Sequence, residues 1–182
     1  MQVNIKKDGK QNTYNLINSW DDVTLDKWAK LIDSKSKSKT KEALDTISLL
    51  SDIPRKLVKE LSINDVSNIL NRVAALQNKA SSRLKRIIKV DDVEYGFHPD
   101  LSEITLGEYA DIETYIQNGM EKNLAKLMAV LYRPVVEKNG KYYSIERYNG
   151  SGVRMRSEKF KKMKAADVNS SLVFFWTLGN EL

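Results

Sequence analysis

Chemistry needs side chains that exchange protons, attack carbon or hold a metal, and this chain arranges few of them usefully. Its one histidine, His98, stands beside Pro99, and none of its 182 residues is a cysteine. Without a second histidine, a cysteine or a G-x-S-x-G turn, no nucleophile–base pair can be assembled. Carboxylates occur as Asp21-Asp22, as Asp91-Asp92, and as Glu108 with Asp111 on one helix face. Hard cations need several converging oxygens, whereas adjacent aspartates near turns usually cap helices or solvate loops. The glycines are scattered through turns and form no phosphate-binding pattern. The sequence therefore offers no catalytic, cofactor-binding or metal-ligating residue, implies no cofactor, and shows no small-molecule substrate. An enzyme would require a cleft that gathers Glu108, Asp111 or His98.

Binding is better represented. RLKRIIK supplies Arg83, Lys85 and Arg86, and RMRSEKFKKMK supplies Arg154, Arg156, Lys159, Lys161 and Lys162. Such clusters can meet phosphates, with Phe160 as a stacking surface. They equally suit the negative ends of helices, and no nucleic-acid module frames them. The segment SLVFFWTLGNEL is apolar around most of a helical circumference, so Leu172, Phe174, Phe175 and Trp176 are either core or anchors for a partner. A net charge of +6, from 30 basic and 24 acidic residues, permits an acidic partner without demanding one. The hydrophobic share of 41% is ordinary for a globular chain, and no apolar run approaches the length of a membrane span. The expectation is a soluble, intracellular protein.

The elements that position these residues can be read from periodicity and turn chemistry. VNIKK and TYNLI flank Asp8-Gly9, a dipeptide suited to a tight hairpin turn. Thr24 is placed to cap the next helix, with Val23 and Trp28 as its hydrophobic staple. That helix ends near Asp33 in the polar run SKSKSKTK. A helix over about 41 to 52 stops before Pro54, and a short helix and a long one capped by Ser62 follow.

From about Leu84 the pattern returns. RIIKVDD and VEYGF read as two strands. Thr105 with Glu108 forms a full capping box, and Ile104 and Tyr109 form the staple. NLAKLMAVLY is a helix ending before Pro134. WDDVTLDKWAKL and LSEITLGEYADI align without a gap, and later ADV at 166–168 parallels NDV at 64–66. Asn139-Gly140 marks a hairpin near 134–150 that has no counterpart in the first half. The fold expected is α+β and mostly α, a tandem duplication of two similar lobes over 1–82 and 83–182. Each lobe is a β-hairpin followed by about three helices, with the extra hairpin inserted in the second.

Several phrases are also familiar as a set. YNLINSWDDVTLDKWAKL, ISLLSDIPRKLVKELSINDVSNI, ITLGEYADIETYI, LAKLMAVLYRPV and FFWTLGNEL resemble those of small bacteriophage morphogenesis proteins of the tail-assembly-chaperone-like kind, from phages of Bacteroides-type hosts. The resemblance covers most of the chain from about Tyr14, and its motifs are helix starts and packing phrases. It implies a non-enzymatic protein that binds another virion or tail protein through apolar helical surfaces in the host cytoplasm during assembly. A small structural or cargo protein retained in the virion is the related alternative, with self-association as a further mode. DNA is the secondary partner that the basic clusters would serve.

Overall fold

The computed structural model describes residues 1–7, 9–35, 38–77 and 84–168. It divides into two compact units. The first comprises Met1–Val23 with Lys27–Ser81, and the second comprises Thr24–Asp26 with Ser82–Leu182. The fold is α+β, with more helix than strand and two antiparallel sheets among the described residues, one of two strands and one of four.

In the first unit, β1 (Gln2–Lys7) and β2 (Lys10–Asn15) form the expected hairpin, with Gly9 at φ +76° in the turn. A 3-10 turn at Trp20–Asp22 follows. Its capping box is built from the Ser19 hydroxyl and the Asp22 carboxylate, so Asp22 serves helix geometry. Next come α1 (Leu25–Lys35), of which Leu25 and Asp26 count with the second unit, and α2 (Lys39–Leu50), which buries Ile47 and Leu50. Ser51 and Asp52 run briefly alongside the end of β2, with Leu16 bridged to Ser51 and the Asp52 amide donating to Asn15 O. Pro54 then turns the chain into the short α3 (Arg55–Val58). Finally α4 (Ile63–Gln77) starts at Ser62, whose Oγ accepts from the Asp65 amide and donates to its carboxylate.

The second unit has a larger sheet, ordered β3 (Ile87–Val90), β4 (Val93–Phe97), β5 (Tyr132–Asn139), β6 (Tyr142–Ile145). Asp91 and Asp92 both take positive φ, as a two-residue type I′ hairpin turn requires; short polar side chains tolerate that region best after glycine. Between β4 and β5 lie a 3-10 turn at Leu101–Glu103, α5 (Leu106–Gln117) and α6 (Met120–Leu131). α6 is amphipathic over its first turns and apolar all round from Leu127 to Leu131, and it buries Leu124, Leu127, Met128, Val130 and Leu131. α7 (Gly150–Phe160) packs on α6, and Phe160 meets Tyr95 edge to face with centroids 4.8 Å apart. A further helical turn occupies 165–168.

The extra hairpin expected near 134–150 is present as β5 and β6, and it joins this sheet. Strand β5 begins at Tyr132, directly after α6, and Phe97, Gly96 and Tyr95 of β4 pair with Tyr132, Arg133 and Pro134. α6 ends before Pro134, as expected, and Pro134 itself lies within β5. Tyr143 lies across Gly96 so closely that a Cβ there would overlap its ring carbons, which makes glycine a packing requirement at that point.

Local features of the first unit recur 81 positions on. The 3-10 turns at Trp20–Asp22 and Leu101–Glu103 correspond, as do the starts of α1 and α5 and both ends of α2 and α6. The Leu16–Ser51 bridge corresponds to the Phe97–Tyr132 pair. The Ile17 amide donates to Leu50 O at 3.0 Å, and in the same place the His98 amide donates to Leu131 O at 2.8 Å. Beyond the β5–β6 hairpin the spacing grows to 102, which sets Ile63 at the start of α4 against Ala165 at the start of the last described helical turn.

Candidate functional site

In the first unit, α1, α2 and α4 do not close on one another. Trp20, Trp28 and Ile32 face Ala43, Leu70 and Ala74 across a groove of about 400 Å³. The residues that leave it open are small. At the 102-residue spacing, Val73 and Ala74 stand against Phe175 and Trp176 in the sequence of the second half. Trp28 is only half-buried, although a tryptophan in a finished core would be covered on both faces. Lys39 and Glu42 stand at one edge, so an apolar floor is bordered there by charge. Helical walls, small alanines and a partly bare indole suit an inserted apolar side chain from another helix.

The second unit contains Glu108, His98 and Asp111, and each of them contacts a neighbouring side chain. The Thr105 hydroxyl and amide both donate to Glu108 Oε2, at 2.6 and 2.8 Å, while Thr105 Oγ1 accepts from the Glu108 amide. The other carboxylate oxygen lies 2.5 Å from Arg133 Nη1 and 3.6 Å from His98 Nε2. Glu108, Arg133 and His98 are all buried. Burial pushes the Glu108 carboxyl up, but the Thr105 bonds, Arg133 and His98 more than offset it and hold it below the usual range. Burial likewise lowers His98, against the opposing pull of Glu108, which keeps the imidazole neutral near pH 7.

Nearby, the Tyr148 hydroxyl bonds to Asp111, and its ring lies under the Arg133 guanidinium, 5.7 Å from ring centroid to Cζ. Burial raises the Tyr148 phenol, and the Asp111 bond adds to this, so it remains a proton donor. Glu108 thus meets both Arg133 and His98, while Asp111 is held by Tyr148. The arrangement ties α5 to β5 and to the loop before α5. Among the described residues, no group of three or more His, Asp or Glu could hold a metal.

The basic clusters divide in three dimensions. Lys85 pairs with Asp167 at 2.5 Å, Lys161 with Glu158 at 2.7 Å, and Lys162 with Asp91 at 3.8 Å. Arg86 bonds to the Tyr143 side chain. Arg156, expected among the phosphate contacts, turns inward: it is buried, its Nε donates to Ala129 O at 3.2 Å, and Glu146 lies 3.7 Å from Nη1. Its position on the buried face of α7, beside Val153 and Phe160, takes it out of reach of a phosphate. Arg154 is exposed and Lys159 half-buried on the same helix. Arg83 and the anchors Leu172, Phe174, Phe175 and Trp176 lie outside the described residues.

The groove was not singled out from sequence, since each helix looks like an ordinary amphipathic one by itself. Its signal was the pairing of small residues in one half with large aromatics in the other. Compared with known protein families, curated proteins and solved structures, the chain matches none of them. No described helix is long and apolar enough to cross a membrane.

Proposed function

We propose that this is a non-enzymatic bacteriophage morphogenesis protein, tail-assembly-chaperone-like, that acts by holding an apolar helical segment of another virion or tail protein. The observation that carries the reading is the groove of the first unit, where Trp28 and two alanines leave room for a partner's side chain. Its occupant is an amphipathic helix with an aromatic anchor, because the second half of the sequence sets Phe175 and Trp176 where the groove has Val73 and Ala74. The phage setting comes from the resemblance of the helix-start phrases. The pairing of Glu108 with Arg133 and His98, and of Asp111 with Tyr148, favours binding over catalysis.

We further infer that the halves descend from a duplication. The support is the recurrence of the 3-10 turn, two helices, a bridge and a backbone hydrogen bond at one spacing.

A photo-crosslinking amino acid at Thr46, in the groove wall, tests the binding reading in phage-producing cells. The expected product joins the protein to an apolar helical stretch of a tail or virion protein, and Ala43→Arg abolishes it. Crosslinks that survive Ala43→Arg, or none at all from Thr46, would overturn it.

A further inference from the structure

One contact in the second unit has two sides, and the repeat supplies each side twice. The Leu25 amide donates to Met163 O at 2.8 Å, the Asp26 amide donates to Lys161 O at 3.1 Å, and Thr24 is bridged to Lys164. Around this contact Leu25 is 1% exposed and Ala165 0%. At a spacing of 81, the counterpart of Thr24–Asp26 is 105–107. At a spacing of 102, the counterpart of 161–165 is 59–63.

Both counterparts are open. Leu106, which matches Leu25, is 83% exposed; Ile63, which matches Ala165, is 80% exposed. The amides of Leu106 and Gly107 make no backbone hydrogen bond among the described residues. A single exposed aliphatic residue needs no explanation. Here, though, two of the most exposed ones occupy the two halves of a contact that the same chain makes elsewhere.

We propose that a second copy of this chain completes the contact, with 105–107 of one molecule docking on 59–63 of the next. Between chains, the Leu106 amide then donates to Leu61 O and the Gly107 amide to Lys59 O, repeating the bonds of Leu25 and Asp26. Leu106 and Ile63 are covered as Leu25 and Ala165 are. The occupant is a copy of this chain because the template is this chain's own sequence: Thr-Leu recurs on one side, and a residue pair with an apolar first member, Leu61-Ser62 or Met163-Lys164, recurs on the other. The two surfaces differ, so the contact is heterologous and propagates head to tail into a ring or an open row. The proposal rests on the duplication reading and is independent of the groove.

Light scattering over a concentration series tests it. The wild type is expected to grow with concentration, whereas Leu106→Glu and Ile63→Glu are each monomeric with unchanged thermal unfolding. Mixing those two variants is the decisive arm: each keeps one sound surface, so the mixture gives a dimer and stops there. A second arm uses the absence of native cysteine. Thr105→Cys mixed with Ser62→Cys is expected to form a disulfide between chains. A wild type that stays monomeric overturns the proposal, as does a mixture that stays monomeric. So does a Thr105→Cys/Ser62→Cys double variant whose disulfide closes within one chain. The halves can still superpose, and the Thr46 crosslink still form, if this contact fails.

Discussion

The phrases VTLDKWA at 23–29 and ITLGEYA at 104–110 begin helices in the same way and meet different surroundings. Both follow a 3-10 turn and both place a threonine just before the first helical residue. In the first, Leu25 is 1% exposed; in the second, Leu106 is 83% exposed. At the third helical position the first has Lys27, and the second has Glu108, buried between Thr105 and Arg133. A cap and a staple specify where a helix starts. What that start buries is decided by which segment arrives against it.

The largest expected effect comes from the buried pair, which belongs to one phrase only. Glu108→Gln leaves Arg133 as an uncompensated interior charge and should cost about 3–5 kcal/mol in urea unfolding. A loss under about 1 kcal/mol would mean that Arg133 relaxes to solvent. Leu25→Ala should cost about 2–5 kcal/mol, the usual range for deleting a buried leucine, whereas Leu106→Ala in dilute protein should change stability by less than about 0.5 kcal/mol. Equal losses at the two positions would erase the contrast between the phrases.

Thr105→Ala should cost about 1 kcal/mol through loss of the cap. The smallest effect concerns acidity. His98 is held below its ordinary value of 6.5 by burial, so the unfolded chain binds its proton more readily than the folded one. Its contribution to stability is complete above about pH 6.5 and is lost as pH falls below that value. His98→Asn should flatten the unfolding midpoint just below that pH; an unchanged slope would assign the acid sensitivity to another group.

Local elements were legible because their signals are local. Asp8-Gly9, the Thr105–Glu108 box, the Ser62 cap and the Asp91-Asp92 turn each depend on residues within a few positions. Even the recurrence at 81 was readable from WDDVTLDKWAKL and LSEITLGEYADI. The joining of β5 to β4 was not, because strand pairing across the whole of α5 and α6 leaves no local mark. Arg156 shows the same limit: in RMRSEKFKKMK it looks like its neighbours, and only the helical face of Val153 and Phe160 turns it inward. The spacing of Thr105 and Glu108 marks a cap, and the cap is present, but the second Glu108 oxygen serves an arginine 25 positions away.

Leu131 is the last residue of α6 and Tyr132 the first of β5, with nothing between them. Sliding β5 by one residue along β4 would exchange its two faces, and it would also have to screw α6 about 100° inside the core. The helix therefore indexes the sheet, as a key fixes a shaft. Slippage of that strand requires the whole unit to come apart, so the amides of 95–97 and 127–131 should exchange with solvent at one common rate.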